Sequence, residues 1–350
     1  MSLSPARAPE EFPVQEEGRA PSEAPVRERR SPVQDEIHAL RRVLQSRPEW
    51  SARLLELQRP RPVISLAYIA TAWLGLGLSW GLVEGAGLAL LPVALLLTAS
   101  AQRLLNNSLH DAAHGNILRG GETLFQVLLA APMFEDFQRY RALHLRHHAR
   151  LHTPEEDPDH LSLPVRPGDG ETGPSAARVY LRALGSARLW KSHCLGELPA
   201  LGWRGRGRVL LWWAGVLGVL AGVAGPGAAL RFAGLWLLAR ATTYHALKVF
   251  TELADHSGLE VGTVLSYTRN APRNALGLLL HPFGDNYHLT HHLAPRVPMP
   301  NLHATHQLMW HVPEYRAGHH CDGYFLGHYP VTRSWLRAWN PPRARLHEVR

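Results

Sequence analysis

The chain has 350 residues, 45% of them hydrophobic, with 30 Gly, 27 Pro, 22 His and a net charge of +8. That apolar content excludes a disordered chain. Two cysteines, Cys194 and Cys321, exclude a disulfide framework, a cysteine-held iron–sulfur cluster and a four-cysteine zinc site. The length allows two soluble domains, or one membrane domain with cytosolic parts. A mean hydropathy of −0.16 hides a polar N-terminal stretch and several strongly apolar runs.

Residues 1–32 are rich in Pro, Glu and Arg and read as a disordered tail without a signal-peptide layout. Residues 33–60 place Ile37, Leu40, Val43 and Leu44 at helical spacing between charges. They predict an amphipathic helix lying on a membrane surface or on the protein itself. Residues 63–83 hold no charge and are long enough to span a bilayer. Residues 85–102, after a break at Glu84, and residues 209–230 are two further uncharged runs. Residues 232–250 form a fourth, interrupted by Arg240 and Lys248. Residues 125–134 are apolar but too short to span, and predict a buried or interfacial segment.

These runs predict an all-α integral membrane protein with four transmembrane helices in two hairpins. Residues 1–62, 103–208 and 251–350 then share one side and would form a helical cap. That side carries nearly all the Arg and Lys, whereas the turn at Glu84 carries none. The positive-inside rule makes the cap and both termini cytoplasmic. The basic balance fits loops beside an anionic leaflet and needs no nucleic acid.

Three histidine clusters fall on that side: HDAAH at 110–114, HLRHH at 144–148 and HLTHH at 288–292. On a helix, positions i, i+3 and i+4 share a face. His110 and His114 therefore point together. So do His144, His147 and His148, and so do His288, His291 and His292. Imidazole suits Zn, Cu, Fe and Ni. A single structural zinc takes four ligands, and eight imidazoles are twice that number, which points to two metal ions.

The pattern HxxxH, HxxHH, HxxHH resembles the membrane fatty-acid desaturase and hydroxylase superfamily. The stretch DNYHLTHHLAPRVP at 285–298 is especially similar to that family's third box and its following turn. The likeness covers about residues 61–311, leaving 312–350 as a C-terminal cytosolic tail. It implies a site holding two iron ions, cycling between Fe2+ and Fe3+, with O2 as co-substrate. It also implies a ninth ligand soon after the fourth span, a place held by His256 in TELADHSG. Asp255, Glu252 or Asp111 would orient an imidazole N–H. His152 and His160 sit in the acidic segment HTPEEDPDH, which reads as a loop shaping the site. His245, His281, His303, His306, His311, His319, His320 and His328 lack the repeated spacing and read as packing, second-layer or surface groups.

The reaction implied is desaturation of an acyl or lipid-like chain. Hydroxylation or alkene-forming decarboxylation remain open, as does a small natural-product amine or amino acid as substrate. Trp73, Trp80, Trp212, Trp213 and Trp236 would line an acyl tunnel or anchor the helices at the interface. The sequence carries no haem-binding or dinucleotide fingerprint. Electrons would therefore come from a separate ferredoxin or cytochrome b5-like carrier with its reductase. Arg139, Arg141, Arg146 and Arg150 offer a docking face for an acidic carrier. A metal transporter or storage protein is the rival class, but it would place ionisable residues inside its spans, and the first three runs hold none. A catalytically dead scaffold would not need complete boxes.

Overall fold

A computed structural model describes residues 32–151, 153, 156–159 and 175–335. The tail expected before residue 32, His152, His160 and residues 336–350 lie outside the described residues. Nearly all the regular structure is helical.

The segment expected as one amphipathic helix forms two, α1 (Pro32–Gln45) and α2 (Pro48–Leu57). The division falls at Pro48, which holds Arg47 extended (φ −114, ψ 117) and itself starts the second helix. Of the two surfaces open to it, this segment lies on the protein. Leu40, Leu44, Leu54 and Leu57 are buried. Asn301 Nδ2 donates to the Leu57 carbonyl at 2.7 Å, and the Leu265 N–H donates to Glu36 at 3.0 Å.

Helices α3 (Pro62–Ala86) and α4 (Leu91–Ala113) form a hairpin through the short turn Gly87–Leu90. The break expected at Glu84 comes at Gly87, and α4 runs past Gln102 as far as the first histidine cluster. Next come α5 (Phe137–Ala149), α6 (Ala176–Leu184) and α7 (Ala187–Leu195). The long apolar helix α8 (Trp203–Ala224) stops at Gly225, whose φ of +90 and ψ of 156 suit only glycine. Pro226 then opens α9 (Pro226–Ala239). The apolar run expected over 209–230 is therefore split near its end, because hydropathy continues across a backbone break. A π-helical turn, Arg240–Tyr244, joins α9 to α10 (His245–His256).

Two stretches, Pro48–Ala113 and Trp203–Ala224, are long and apolar enough to cross a membrane. Their apolar side chains face outward: Leu74 on α3 is 74% exposed and Val223 on α8 is 84% exposed. Such a surface is costly in water and ordinary in hydrocarbon. Inside the bundle, Trp73 meets Trp212 at 6.0 Å between ring centroids, and Trp213 meets Trp236 at 5.3 Å. These rings pack helix against helix, and Trp236 is buried. Arg231 on α9 makes a two-pronged ion pair with Glu84 on α3, at 2.8 and 2.6 Å, tying the two hairpins at their turn end.

The C-terminal part folds back onto the opposite end. It contains α11 (His288–Leu293) and α12 (Leu302–Met309). Strand β1 (Arg269–Asn270) pairs in parallel with β2 (His319–His320). Residues expected as a tail after 311 pack into the fold: Tyr315, Val331 and Trp335 are all buried.

Candidate metal centre

Four helices bring the histidines together. α4 presents His110 and His114 at its C-terminal end. α5 begins at Asp136, whose carboxylate accepts from the Arg139 N–H at 3.2 Å, and carries His144, His147 and His148. α10 ends on His256, and α11 consists almost wholly of the third cluster. A buried ion pair fixes α4 against the chain before α11: Arg103 meets Asp285 at 2.9 Å. Beside it, Asn107 Nδ2 donates to the Pro282 carbonyl at 2.8 Å.

All nine expected ligands meet in two sets. His110, His114, His144, His148 and His291 form one, and His147, His256, His288 and His292 the other. Within each set the ring nitrogens lie within 4.8 Å of one another. In the first, the Nε2 atoms of His114 and His144 stand 2.8 Å apart, and His148 is 3.1 Å from both His144 and His291. In the second, His288 Nε2 is 2.9 Å from His256 and 3.0 Å from His292. Nitrogens bound at right angles to one ion at about 2.1 Å would stand about 3.0 Å apart. The sets adjoin, with the His148 and His292 rings stacked at 4.1 Å.

The electrostatics suit a cation. Burial, reinforced by neighbouring imidazoles, holds His144, His148, His291 and His292 well below the ordinary histidine range, and His114 at about 3. These rings are neutral near pH 7, the form that binds metal. Burial opposes charge on His147, but the Asp157 carboxylate, 2.8 Å from Nδ1, and the charges of Asp159 and Asp255 together outweigh it and raise the pKa. Asp157 thereby fixes the Nδ1–H tautomer and turns Nε2 toward the set. The Tyr267 carbonyl does the same for His256 at 3.0 Å. Converging lone pairs on buried neutral rings are unfavourable unless a shared ion lies between them, so this donor set fits two metal ions.

The expected orienting acids fall elsewhere. Asp111 makes no hydrogen bond to an imidazole among the described residues; it accepts from Asn116 Nδ2 at 3.0 Å and the Met299 N–H at 3.2 Å, pinning the turn after the third cluster. Glu252 pairs with His193 at 3.1 Å, and Asp255 lies 3.6 Å from His281. His245 meets His193 and the Leu184 carbonyl. Downstream, His306 and His320 bond Tyr315, His303 bonds Tyr287, and His319 bonds Tyr329. His281 bonds Tyr324, His311 stacks on Trp50, and the His328 N–H donates to Asp322. Three of the four arginines offered for docking have acidic neighbours: Arg139 with Glu197 at 3.0 Å, Arg150 with Glu156 at 3.1 Å and Arg141 with Glu122 at 4.0 Å.

Sequence reasoning missed three features. Asp157 was read only as part of a loop. Asn270 braces α11, donating to Thr290 Oγ1 at 3.0 Å and Tyr315 Oη at 2.8 Å while accepting from the Thr290 N–H. Arg240, Tyr244, Lys248, Glu252 and His256 form a stripe facing a cavity of about 270 Å³ beside both histidine sets. Their four-residue spacing was the available signal.

Helices bring six buried and three half-buried imidazoles into two adjoining sets that could hold metal ions, a site of the kind oxidoreductases use. The fatty acid desaturase family model matches residues 86–323, and the chain belongs to that family. It is similar to the dihydrorhizobitoxine desaturase of Bradyrhizobium elkanii, at 30% identity over 296 aligned residues, covering 76% of this chain and 81% of that protein.

Proposed function

We propose that this chain is an O2-dependent, non-haem di-iron membrane desaturase, which removes two hydrogens from adjacent carbons. The observation that carries the reading is the pair of adjoining, largely buried histidine sets of five and four. Iron bound there supplies the oxidising power to break an unactivated C–H bond. The chain's own residues do the rest. His110, His114, His144, His148 and His291 would hold one ion, and His147, His256, His288 and His292 the other. Asp157 keeps His147 in its ligating tautomer, and the buried surround keeps bulk water from the reacting carbon.

Overall, one O2, two external electrons and two protons take up the two substrate hydrogens and leave two waters. The electrons come from a separate ferredoxin or cytochrome b5-like carrier. Four membrane spans, α3, α4, α8 and the α9–α10 helix, would carry the centre on the cytoplasmic face. The desaturase name of the relative favours desaturation over hydroxylation or decarboxylation. The acyl chain expected as substrate has less support, because the cavity beside the histidines is lined largely by ionisable groups.

The test is untargeted lipid and metabolite profiling of cells making the wild type or His148→Ala with a supplied electron donor. The expected result is a product two hydrogens lighter than its precursor, dependent on O2 and absent from the variant. A product one oxygen heavier would replace desaturation by hydroxylation. Identical profiles, with both proteins folded and the wild type metal-loaded, would refute the enzyme reading.

A further inference from the structure

The cavity beside the histidines is poorly suited to an alkyl chain. Among the described residues, its only wholly apolar lining residues are Met133, Leu143, Pro158 and Leu189. An acyl chain placed there would strip water from charged groups and return no hydrogen bond. At about 270 Å³, the cavity also lies below the roughly 300–1,000 Å³ of sites for drug-sized ligands.

Several of the charged lining groups are already committed within the protein. Arg103 pairs with Asp285. Arg240 donates to the carbonyls of His193 at 2.6 Å and Cys194 at 3.0 Å. Glu252 is held by His193. Four others have capacity to spare. Glu135 Oε2 is buried with no hydrogen-bond partner among the described residues. The Tyr140 and Tyr244 hydroxyls line the cavity, and neither makes a hydrogen bond to a described residue. The Lys248 ammonium has three donors, and its ion-pair neighbour is a Glu252 oxygen 3.4 Å away that His193 also uses. Glu135 and Lys248 are close enough to feel each other's charge. The Glu135 carboxyl, which a bound ammonium would ionise, the Lys248 ammonium and two hydroxyls thus face a small space that His110, His144 and His288 also line, together with Asp159 and the exposed Arg188.

We propose that this cavity takes a small zwitterion, an amino-acid-like molecule. Lys248 and the tyrosine hydroxyls receive its carboxylate, and Glu135 receives its ammonium. Its side chain extends toward His110, His144 and His288, which line the same cavity. Charge-assisted bonds at both ends fix the molecule's direction, and so which carbons meet the metal centre. A site built around such groups discriminates strongly against a ligand that leaves them unpaired.

The proposal rests on the desaturase reading for what happens to the bound molecule, but not for its binding. The test measures binding to the full-length, metal-loaded protein in detergent. The probes are L-norleucine, hexylamine and hexanoate, which share a six-carbon skeleton, and stearate. Norleucine is expected to bind at least about tenfold more tightly than any of the others. Lys248→Met is expected to weaken norleucine and hexanoate by about tenfold and leave hexylamine unchanged. Glu135→Gln is expected to weaken norleucine and hexylamine and leave hexanoate unchanged. A general packing defect would not produce that crossed pattern. Stearate binding more tightly than norleucine, no binding of norleucine, or both variants weakening every probe alike would each overturn the proposal. Iron measured in the same samples keeps the two readings apart. Iron-free protein that binds norleucine sinks the di-iron reading alone, and iron-loaded protein that prefers stearate sinks this proposal alone.

Discussion

Replacing Asp157 by Asn is expected to weaken one metal position and spare the other. Asp157 Oδ1 sits 2.8 Å from His147 Nδ1, and the two side chains are 2% and 3% exposed, so water does not replace a lost contact. The same oxygen accepts from the Asp159 N–H at 3.0 Å, which orients the carboxylate. Asparagine keeps an acceptor and loses the charge, whereas alanine loses both. Partners of this kind are worth about 10–100-fold in metal affinity, or about 1.4–2.7 kcal/mol. About tenfold is expected for Asp157→Asn and about a hundredfold for Asp157→Ala. Both losses are confined to the ion held by His147, His256, His288 and His292. Anaerobic titration with Fe2+ against a competing chelator reads the two affinities separately. Equal weakening of both ions, or of neither, would refute the reasoning.

Three further outcomes follow from the same geometry. Arg103→Met strands the Asp285 carboxylate and is expected to cost about 3–5 kcal/mol, read as a lower melting temperature with loosened metal. Gly225→Ala meets no neighbouring atom, so its cost is backbone strain alone, about 1–3 kcal/mol by the same melting assay. Burial, then the charge of Glu197, pushes the Glu135 carboxyl up to about 8 from an ordinary 4.5. Between those pH values the folded chain holds a proton that the unfolded chain has lost. Stability contributed by this group is therefore full below about pH 4.5 and declines as pH rises toward 8. Glu135→Gln should flatten that decline in melting curves taken from pH 5 to 9, and an unchanged slope would count against it.

The histidine boxes were legible because their spacing survives folding: i, i+3 and i+4 stay on one helix face. Their division between two sets was not. His147 and His148 are adjacent yet belong to different sets, as do His291 and His292. Consecutive helical residues point about 100° apart, and which set each faces depends on how α5 and α11 pack. Asp157 was illegible for a related reason, since its role comes from a loop folding back onto α5. At Gly225 the signal was present but masked, because apolar residues continue on both sides of the glycine–proline break. Arg240 and Lys248 looked like blemishes in a membrane span. In the fold they face the cavity, where intramembrane charge more often marks function than error.

Metal content per chain tests the central claim most directly. Full-length protein purified in detergent from iron-replete cells should hold about two irons, filling the five-histidine and four-histidine sets. His148→Ala should lose iron while keeping its fold. A single zinc, or no metal in well-folded protein, would contradict the account.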